Sequence, residues 1–369
     1  MLLNESQVIV LKIGSSLLID EKGHLNLSWL DSLIDDIATL QRDGKKIILV
    51  SSGSVALGRK ALGAENDKPL SLEEKQAAAA CGQTHLIHAY QESLSRYNLF
   101  GAQVLLTLSD SEERRRYLNA RNTLTTLLEA GVIPIINEND TVTTAELRMG
   151  DNDRLAARVA QMAGADSLIL LSDIDGVYTA NPNTDKNAQH IPIITTIDDK
   201  ITNMAGGSSS SVGTGGMVTK LAAARIAINS GCQTLIARGN NLYPIKNLCS
   251  GGKHTLFPAN ETPHSARKRW IAHSLQAAGT ITVDTGAIEA LQQGASLLPA
   301  GITKIVGEFH TGDTVIIETP NGQLFGHGLV NYNSEEAHRI MGCKSSEIQN
   351  ILGYSGRKAF VHRDDLAIE

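Results

Sequence analysis

A glycine- and serine-rich segment at residues 206–220 has the composition of a phosphate-binding loop. It reads GGSSSSVGTGGMVTK, and we predict that a helix begins near Met217 with Lys220 in its first turn. Glycines let backbone N–H groups approach phosphate oxygens closely, and a helix N-terminus adds partial positive charge. A flexible linker with an incidental lysine would have the same composition, so this segment alone leaves both interpretations open.

Lys12 is a second cation that could meet a phosphate. It lies near the end of a β-branched and apolar run, residues 8–13, that predicts a buried strand followed by a tight loop. A lysine at the end of a buried strand often has no binding role and simply extends its ammonium group into solvent. Ligands of open α/β sheets, however, gather at the carboxyl ends of the strands, and other polar residues follow other predicted strands of this chain.

Two clusters of acidic and amide residues are suited to a small polar substrate. Residues 137–140 (NEND) follow a predicted strand, and residues 150–153 (GDND) stand at a predicted helix start. Turn formation and N-capping explain one such cluster better than two, and neither has the alternating carboxylates of a calcium loop. We expect the following residues to converge on one crevice: Lys12, Ser52, Gly53, Asn137, Glu138, Asn139, Asp140, Ser172 and Asp173.

Helices and strands alternate through the first two thirds of the chain. Ser28 and Asp31 resemble a capping box at the start of one helix, and a long alanine-rich helix follows Ser71. Three helices are predicted to end at glycine caps, Gly131, Gly164 and Gly231. Strands are predicted at 8–13, 46–50, 102–106, 132–136, 167–171 and 233–237. This alternation predicts an α/β fold with a mainly parallel open sheet sandwiched by helices.

The length and the late change of pattern predict two domains. A chain of 369 residues exceeds what one hydrophobic core usually serves. We predict a first domain at 1–260, a linker at 261–276 and a small β-rich domain at 277–369. In the last, strands are predicted at 279–283, 304–309, 314–319, 324–329 and 358–362, and helices at 286–294 and 334–341.

The composition favours a globular enzyme in the cytoplasm. Hydrophobic residues make up 42% and charged residues 20% of the chain, and its net charge of -6 gives no global attraction to nucleic acid or anionic membranes. We predict no leader peptide or membrane span. The four cysteines have no metal-ligand spacing, so no metal-binding residues are predicted, and His85 and His88 have no third ligand nearby. The sequence has no Walker A, GxGxxG or protein-kinase motif.

Taken together, the motifs resemble the amino acid kinase family, followed by a C-terminal PUA domain. The resemblance covers essentially the whole chain. INEND at 136–140, GDND, KRWI at 268–271 and the tail from Gly279 resemble the branch of the family that phosphorylates free glutamate. The matching stretches are VLKIGSSLL (10–18), VSSGSVALG (50–58), YLNARNTL (117–124), INENDTV (136–142), GDNDRLAA (150–157), SDIDGVYTANP (172–182) and GTGGMVTK (213–220).

The resemblance implies a role for individual residues. Lys12 and Lys220 would stabilise the transferring phosphoryl group, with Asp153 holding both lysines. Glutamate would be bound by Ser52, Gly53, Asp140 and Asn152. ATP would be bound by Lys12, Ser172, Asp173, Thr214, Gly215, Gly216, Met217, Val218, Thr219 and Lys220. Mg²⁺ is implied as the partner of ATP, with which it usually travels on the phosphates.

Elementary chemistry agrees with these roles. A glutamate γ-carboxylate, with a reference pKa of about 4.3, is already ionised at neutral pH and needs no general base. The demand is for cations around the transferring phosphoryl group. Asp140 would pair with the substrate ammonium, whereas Ser52, Asn152 and backbone N–H groups near Gly53 are suited to the α-carboxylate.

Two kinds of alternative remain at this point. Kinases for acetylglutamate, aspartate, carbamate or UMP share the nucleotide half of the motifs, and a PUA domain could indicate an RNA-binding or RNA-modifying protein. The acidic balance argues against RNA binding by the chain as a whole.

The resemblance also implies the first step of proline biosynthesis, feedback inhibition by L-proline, a homodimer or homotetramer, and hand-off of a labile acyl phosphate to glutamyl phosphate reductase.

Overall fold

The structure, a computed structural model, describes residues 3–20, 22–64, 69–142, 152–206, 216–272 and 277–369. The chain divides into two compact units, Met1–Pro263 and His264–Glu369. Within the described residues, no helix is both long enough and apolar enough to cross a membrane.

The first unit alternates strands and helices as the sequence predicts. Its strands are β1 (Val8–Ile13), β2 (Lys46–Ser51), β3 (Gly101–Leu106), β4 (Ile133–Glu138), β5 (Ser167–Ser172), β6 (Val177–Tyr178), β7 (His190–Ile191), β8 (Gln233–Arg238) and β9 (His254–Phe257). Its helices are α1 (Ser15–Leu18), α2 (Leu27–Arg42), α3 (Ser54–Gly58), α4 (Leu72–Ser95), α5 (Leu108–Glu112), α6 (Arg114–Glu129), α7 (Asn152–Ala163), α8 (Asp199–Gly206), α9 (Met217–Asn229) and α10 (Pro244–Cys249).

A mainly parallel sheet forms the centre of this unit, which confirms the predicted fold class. Among the described residues its strand order is β3-β4-β2-β1-β5-β8-β9, and only the β8–β9 pair is antiparallel. Successive residues of β1 face opposite sides. Ile9 and Leu11 pack in a cluster with α2, α4 and α10, whereas Val10 packs in a cluster with α6, α7 and α9. Helices therefore cover both faces of the sheet.

Local signals explain several helix ends. Gly131, Gly164 and Gly231 have φ of +72°, +61° and +79°, as the predicted caps require. The predicted capping box at Ser28 is wrong, because Asn26 caps α2 by accepting the N–H of Trp29 at 3.3 Å. Ser28 therefore lies inside the first turn of the helix.

The second unit is β-rich and has its own core. Its helices are α11 (Pro263–Ala272, which begins at the last residue of the first unit), α12 (Thr285–Gln292), α13 (Ser334–Ile340) and α14 (Ile348–Leu352). Its strands are β10 (Gly279–Val283), β11 (Ile302–Gly307), β12 (Thr314–Glu318), β13 (Leu324–Val330) and β14 (Val361–Ile368), in the sheet order β11-β10-β12-β13-β14. Ile281, Val315, Ile317 and Phe360 are fully buried in its core.

Two predicted strands of this unit are displaced. The strand predicted at 304–309 spans Ile302–Gly307, and the one predicted at 358–362 spans Val361–Ile368. In each case a buried phenylalanine, Phe309 or Phe360, lies just outside the strand. Both residues enter the core from loops, so their hydrophobicity does not mark strand residues.

A helix occupies most of the segment predicted as a linker. Ala266 and Ile271 of α11 are buried, and Arg267 Nε donates to Asp365 Oδ1 at 2.9 Å. Asp365 is itself buried, so the guanidinium supplies the partner that this carboxylate needs. The domain boundaries at 260 and 277 remain a prediction.

Candidate active site

Lys12, Asp153 and Lys220 meet at the carboxyl ends of β1 and β5. Asp153 Oδ1 lies 2.7 Å from Lys12 Nζ, and Asp153 Oδ2 lies 3.1 Å from Lys220 Nζ. The exposed fraction of the three side chains is 9% for Lys12, 0% for Asp153 and 6% for Lys220. Three elements distant in sequence, β1, α7 and α9, therefore bring two ammonium groups onto one buried carboxylate.

Burial and charge pairing have opposite effects on the pKa values of Asp153 and Lys12. Burial raises the pKa of Asp153, but the charges of Lys12 and Lys220 lower it by a larger amount. The pKa of Asp153 therefore lies below its ordinary value. Burial lowers the pKa of Lys12, and the like charge of Lys220 adds to this, against the opposing effect of Asp153. The ammonium of Lys12 is therefore stabilised less well than in water, and an additional anion would favour it.

The N-terminus of α9 lies beside the triad. Thr219 Oγ1 donates to Asp153 Oδ2 at 2.8 Å, and Gly216 caps the helix without any side-chain hydrogen bond. Among the described residues, the first N–H groups of α9 are therefore available to an anion, with Lys220 in the first turn as predicted. Met217 and Val218 belong to the same turn. Thr214 and Gly215, also predicted to bind ATP, lie outside the described residues.

Ser172 ends β5 near Lys12, and Asp173 directly follows the strand. The Ser172 hydroxyl donates to Asp173 Oδ1 at 2.9 Å, and the charge of Asp173 acts on the pKa of Lys12. Gly14 follows β1 in the same place, where an added Cβ would lie 4.0 Å from Lys12 Nζ. The ends of β1 and β5 and the start of α9 thus surround one electrostatic site.

A second group of polar residues surrounds Asn152, the first residue of α7. Asn152 Nδ2 contacts the Ser51 carbonyl oxygen at 3.1 Å, Ser52 Oγ at 2.7 Å and Asn137 Oδ1 at 3.2 Å. A backbone carbonyl can only accept, so the atom facing Ser51 is the amide nitrogen. Among the described residues, the buried Oδ1 of Asn152 has no hydrogen-bond partner.

Asp140 follows β4 and is held by Ser54 of α3. The Ser54 hydroxyl donates to Asp140 Oδ2 at 3.3 Å and accepts from Asn137 Nδ2 at 3.3 Å. Burial raises the pKa of Asp140 above its ordinary value, and the Ser54 hydrogen bond only partly offsets this. Within the described part of the chain Asp140 forms no ion pair, so a cation would stabilise its charged form.

Gly53 gives the loop between β2 and α3 its shape. It has φ +107° as the N-cap of α3, a conformation that favours glycine, and an added Cβ would lie 3.2 Å from Ile19 Cγ1. The glycine therefore allows Ser52 and Ser54 to lie close to Asn152 and Asp140.

The sequence did not single out every member of this group. Ser54 and Gln83 were not predicted as site residues, and Asn137 was predicted only as part of its cluster. Ser54 stands directly after the predicted pair Ser52 and Gly53, which is a usable signal. Gln83 gives no such signal, because it lies within a long alanine-rich helix.

Next to Asp140 lies a cavity of about 360 Å³ between α4 and the ends of β3 and β4. Gln83, Thr84, Gln103 and Glu138 also line it. Among the described residues, no three His, Cys, Asp or Glu side chains form a group that could hold a metal ion.

Comparison with known proteins gives a consistent result. A family model described as "Amino acid kinase family" matches residues 7–238, and one described as "PUA domain" matches residues 279–352. The glutamate 5-kinase of Paramagnetospirillum magneticum (strain ATCC 700264 / AMB-1) is 53% identical over 362 residues, which are 98% of this chain and 97% of that protein. The glutamate 5-kinase of Rhizobium etli (strain CIAT 652) is 54% identical over 360 residues, 98% of this chain and 92% of that protein.

Among solved structures, the UMP kinase from Ureaplasma parvum matches 69% of this chain and 99% of its own with a TM-score of 0.48 and 16% sequence identity.

Proposed function

This chain belongs to the amino acid kinase family, and from that premise we propose that it is the kinase that phosphorylates the γ-carboxylate of L-glutamate with ATP. The product is L-glutamyl 5-phosphate, the first intermediate of proline biosynthesis. Its relatives at 53% and 54% identity, matched over 98% of this chain, are glutamate 5-kinases. The single structural observation that carries the proposal is the meeting of Lys12 and Lys220 on Asp153.

The triad is suited to phosphoryl transfer to a carboxylate. An ionised γ-carboxylate attacks phosphorus without giving up a proton, so the site needs no general base. Two anions must instead be brought together, and cations fixed around the transferring group lower that barrier. Lys12 and Lys220 provide such cations, and Asp153 keeps both ammonium groups in place. Because both lysines are little exposed, water screens their attraction to an anion only weakly.

The hydrogen bonds suggest a revised division of labour in the glutamate site. We expected Asn152 to bind the α-carboxylate, but its Nδ2 is already engaged and its open Oδ1 is an acceptor. We therefore assign the substrate ammonium to Asp140 and Asn152 Oδ1 together. Ser52 Oγ accepts from Asn152, which leaves its own proton to donate to the α-carboxylate.

The nucleotide is assigned to the other side of the triad. The open N-terminus of α9, with Gly216 to Lys220, is suited to the phosphates, and Ser172 and Asp173 lie beside Lys12. We propose that Mg²⁺ binds together with ATP. Mg²⁺ in such sites is usually held largely by phosphate oxygens and waters. When bound, Mg²⁺ would supply further positive charge to those oxygens.

The rival functions are less well supported. Acetylglutamate has no free ammonium, so the desolvated carboxylate of Asp140 would stay without a counter-ion if it were the substrate. Aspartate is one methylene shorter than glutamate and would not reach the same phosphorus atom. For RNA binding through the PUA domain, the net charge of -6 offers no general support.

Regulation, assembly and product transfer are further proposals. We propose that L-proline inhibits the enzyme at or near the glutamate site, that the protein forms a homodimer or homotetramer, and that glutamyl phosphate reductase receives the labile product. These proposals, like the expected cytoplasmic location, rest on the family resemblance.

An amino-acid panel tests the proposed function. Hydroxylamine converts an acyl phosphate into a stable hydroxamate, so the purified protein is incubated with ATP, Mg²⁺, hydroxylamine and one candidate at a time. The candidates are glutamate, aspartate, acetylglutamate and carbamate. We expect hydroxamate from glutamate, none without ATP, and less when L-proline is added. Equal yields from aspartate or acetylglutamate would contradict the assignment of glutamate.

A further inference from the structure

Gln83, a member of the polar group around Asn152, forms a side-chain hydrogen bond with Asn137 and, within the described part of the chain, with none of the residues assigned to the substrate. We propose that Gln83 of α4 is a positioning residue that, through Asn137, sets the orientation of Asp140 and Asn152, the two residues assigned to the substrate ammonium. The inference rests on the proposed function, because it concerns how the glutamate site is held.

The orientation of the Asn137 side chain can be assigned from the backbone. The Glu138 N–H can only donate, and it contacts Asn137 Oδ1 at 2.9 Å. Asn137 Oδ1 also accepts from Asn152 at 3.2 Å. Asn137 Nδ2 must therefore face the other way, toward Gln83 Oε1 at 2.8 Å and Ser54 Oγ at 3.3 Å.

Gln83 Oε1 accepts a hydrogen bond from one of the two N–H groups of Asn137 Nδ2. Asn137 is 2% exposed, so bulk water does not reach its amide while a side chain of this size occupies the position of Gln83. The bond to Gln83 Oε1 is also the shorter of the two bonds made by Asn137 Nδ2. Without this bond, one N–H group of the Asn137 amide has no acceptor, which favours rotation of the amide. Rotation would change the contacts of Asn137 with Ser54 and Asn152.

A path of hydrogen bonds joins Gln83 to the proposed ammonium site. Asn137 donates to the Ser54 hydroxyl, which then has its own proton available for Asp140 Oδ2. On the other branch, Asn137 Oδ1 helps to keep Asn152 Nδ2 turned inward, which leaves Asn152 Oδ1 for the substrate. Gln83 thus acts on both proposed acceptors of the ammonium through a single amide.

The helix that carries Gln83 is fixed against the helix that carries Ser54. An added Cβ on Gly82 would lie 1.8 Å from the Ser54 carbonyl oxygen, and one on Gly58 would lie 1.7 Å from the Ala78 carbonyl oxygen. Such close backbone contact leaves α3 and α4 little freedom to slide. The Gln83 side chain therefore enters the polar network from a rigid support.

The test replaces the acceptor and keeps the volume. Gln83→Leu removes Oε1, and we expect the KM for glutamate to rise about 10-fold while kcat and the KM for ATP change less than about threefold, as for lost ground-state binding. Gln83→Glu keeps an acceptor oxygen and should recover most of the glutamate affinity. Gln103→Leu is the matched control, because Gln103 is an exposed glutamine that lines the same cavity and makes no side-chain hydrogen bond among the described residues.

The outcomes separate the inference from the proposed function. If the unmodified protein makes no hydroxamate from glutamate, the proposed function fails. If it does, and folded Gln83→Leu keeps the wild-type KM for glutamate, the positioning role fails. A similar rise in the KM for ATP, or an equal effect in Gln103→Leu, would also overturn it. Should Gln83→Leu not fold, Gln83→Met fills the site with a flexible side chain and is expected to give the same selective rise in KM.

Discussion

Asp153 holds together residues that the chain brings from three distant segments. A buried carboxylate with two buried ammonium partners is stable only as a set, because each charge left without its partner would lose solvation without compensation. Its position in the first turn of α7 adds the favourable field of a helix N-terminus. The residue therefore links the folding of the first unit to the placement of the two proposed catalytic lysines.

Asp153→Asn should weaken both stability and catalysis. The change leaves Lys12 and Lys220 buried without their carboxylate, and breaking a buried ion pair in this way costs about 3–5 kcal/mol. Chemical unfolding monitored by circular dichroism measures the loss. An equally stable Asp153→Asn variant would contradict the role of Asp153 as the anchor of the triad.

The pH dependence of unfolding follows from the same residue. The pKa of Asp153 is lowered on folding, so its contribution to the free energy of unfolding is present above the ordinary carboxylate pKa and is lost as pH falls through the folded-state value. We expect wild-type stability to fall more steeply than that of Asp153→Asn below about pH 4. Parallel curves for the two proteins would show that Asp153 is not stabilised as its contacts indicate.

Asp140→Asn should chiefly weaken glutamate binding. The variant keeps the shape but loses the charge that would pair with the substrate ammonium, so we expect the KM for glutamate to rise about 10- to 100-fold with a smaller change in kcat. A wild-type KM for glutamate in Asp140→Asn would contradict the ammonium assignment.

Acid should have a similar effect on the wild-type protein. The pKa of Asp140 is raised, so its carboxylate gains a proton at a higher pH than an ordinary aspartate as the solution is acidified. The KM for glutamate should therefore increase toward acid in the wild type more than in Asp140→Asn. Steady-state kinetics at a series of pH values measures both, and the variant corrects for protonation of glutamate itself.

Residue types at strand ends were the predictable part of the site. Lys12 stands out because a lysine interrupts an apolar strand, and Lys220 because it follows a glycine-rich segment. The internal hydrogen bonds were not predictable, because the direction of the Asn152 amide in α7 depends on the Ser51 carbonyl oxygen of β2, 101 residues away. Gln83 was missed because only its contact with Asn137, 54 residues away, gives it a role.

At the scale of elements, the contact between α3 and α4 decides where the loop at Ser52–Ser54 lies. Gly58 and Gly82 face each other there, and each is tight against backbone atoms of the other helix. Backbone atoms cannot rotate away as a flexible side chain can. The two glycines therefore set the distance between the loop at Ser52–Ser54 and the polar side chains of α4.

Gly82→Ala tests this element contact. The new methyl group would overlap the Ser54 carbonyl oxygen, and overpacking of this kind costs about 1–3 kcal/mol or more. We expect a lower melting temperature and a higher KM for glutamate. Gly286→Ala is the control, because Gly286 is exposed in α12 and an added Cβ would meet only Asp284 Oδ1 at 3.5 Å. Equal melting temperatures for Gly82→Ala and the wild type would contradict the tight contact.

Element prediction succeeded where a local signal coincided with the core. β1 and β10 have the predicted bounds, and the glycine caps are correct, because periodicity and positive φ are local properties. The antiparallel strand β9 was not predicted, since its pairing with β8 depends on a contact between segments distant enough to leave no pattern. The displaced bounds of β11 and β14 likewise depend on tertiary contacts that the local sequence pattern does not show.

At the scale of the whole molecule, the proposed chemistry lies within one of the two units. Every described residue assigned to the triad or to glutamate belongs to Met1–Pro263. The second unit, His264–Glu369, has a separate hydrophobic core and its own ion pair between Arg267 and the buried Asp365. Each unit therefore has the features of an independently folding domain.

A chain ending at Pro263 should keep its chemistry. We expect it to form hydroxamate from glutamate with a kcat within about threefold of that of the full chain, because the site and its supporting bonds are retained. Circular dichroism of the truncated chain confirms that it is folded before the assay. A folded but inactive truncation would show that the second unit takes part in catalysis.

The central claim is that Lys12 and Lys220 act together on the transferring phosphoryl group. Its most direct test is the steady-state kinetics of Lys12→Ala and Lys220→Ala with glutamate and ATP varied separately. We predict that each variant lowers kcat about 100-fold or more while the KM for glutamate changes little, because these charges matter most in the transition state. An unchanged kcat in either folded variant would contradict the account.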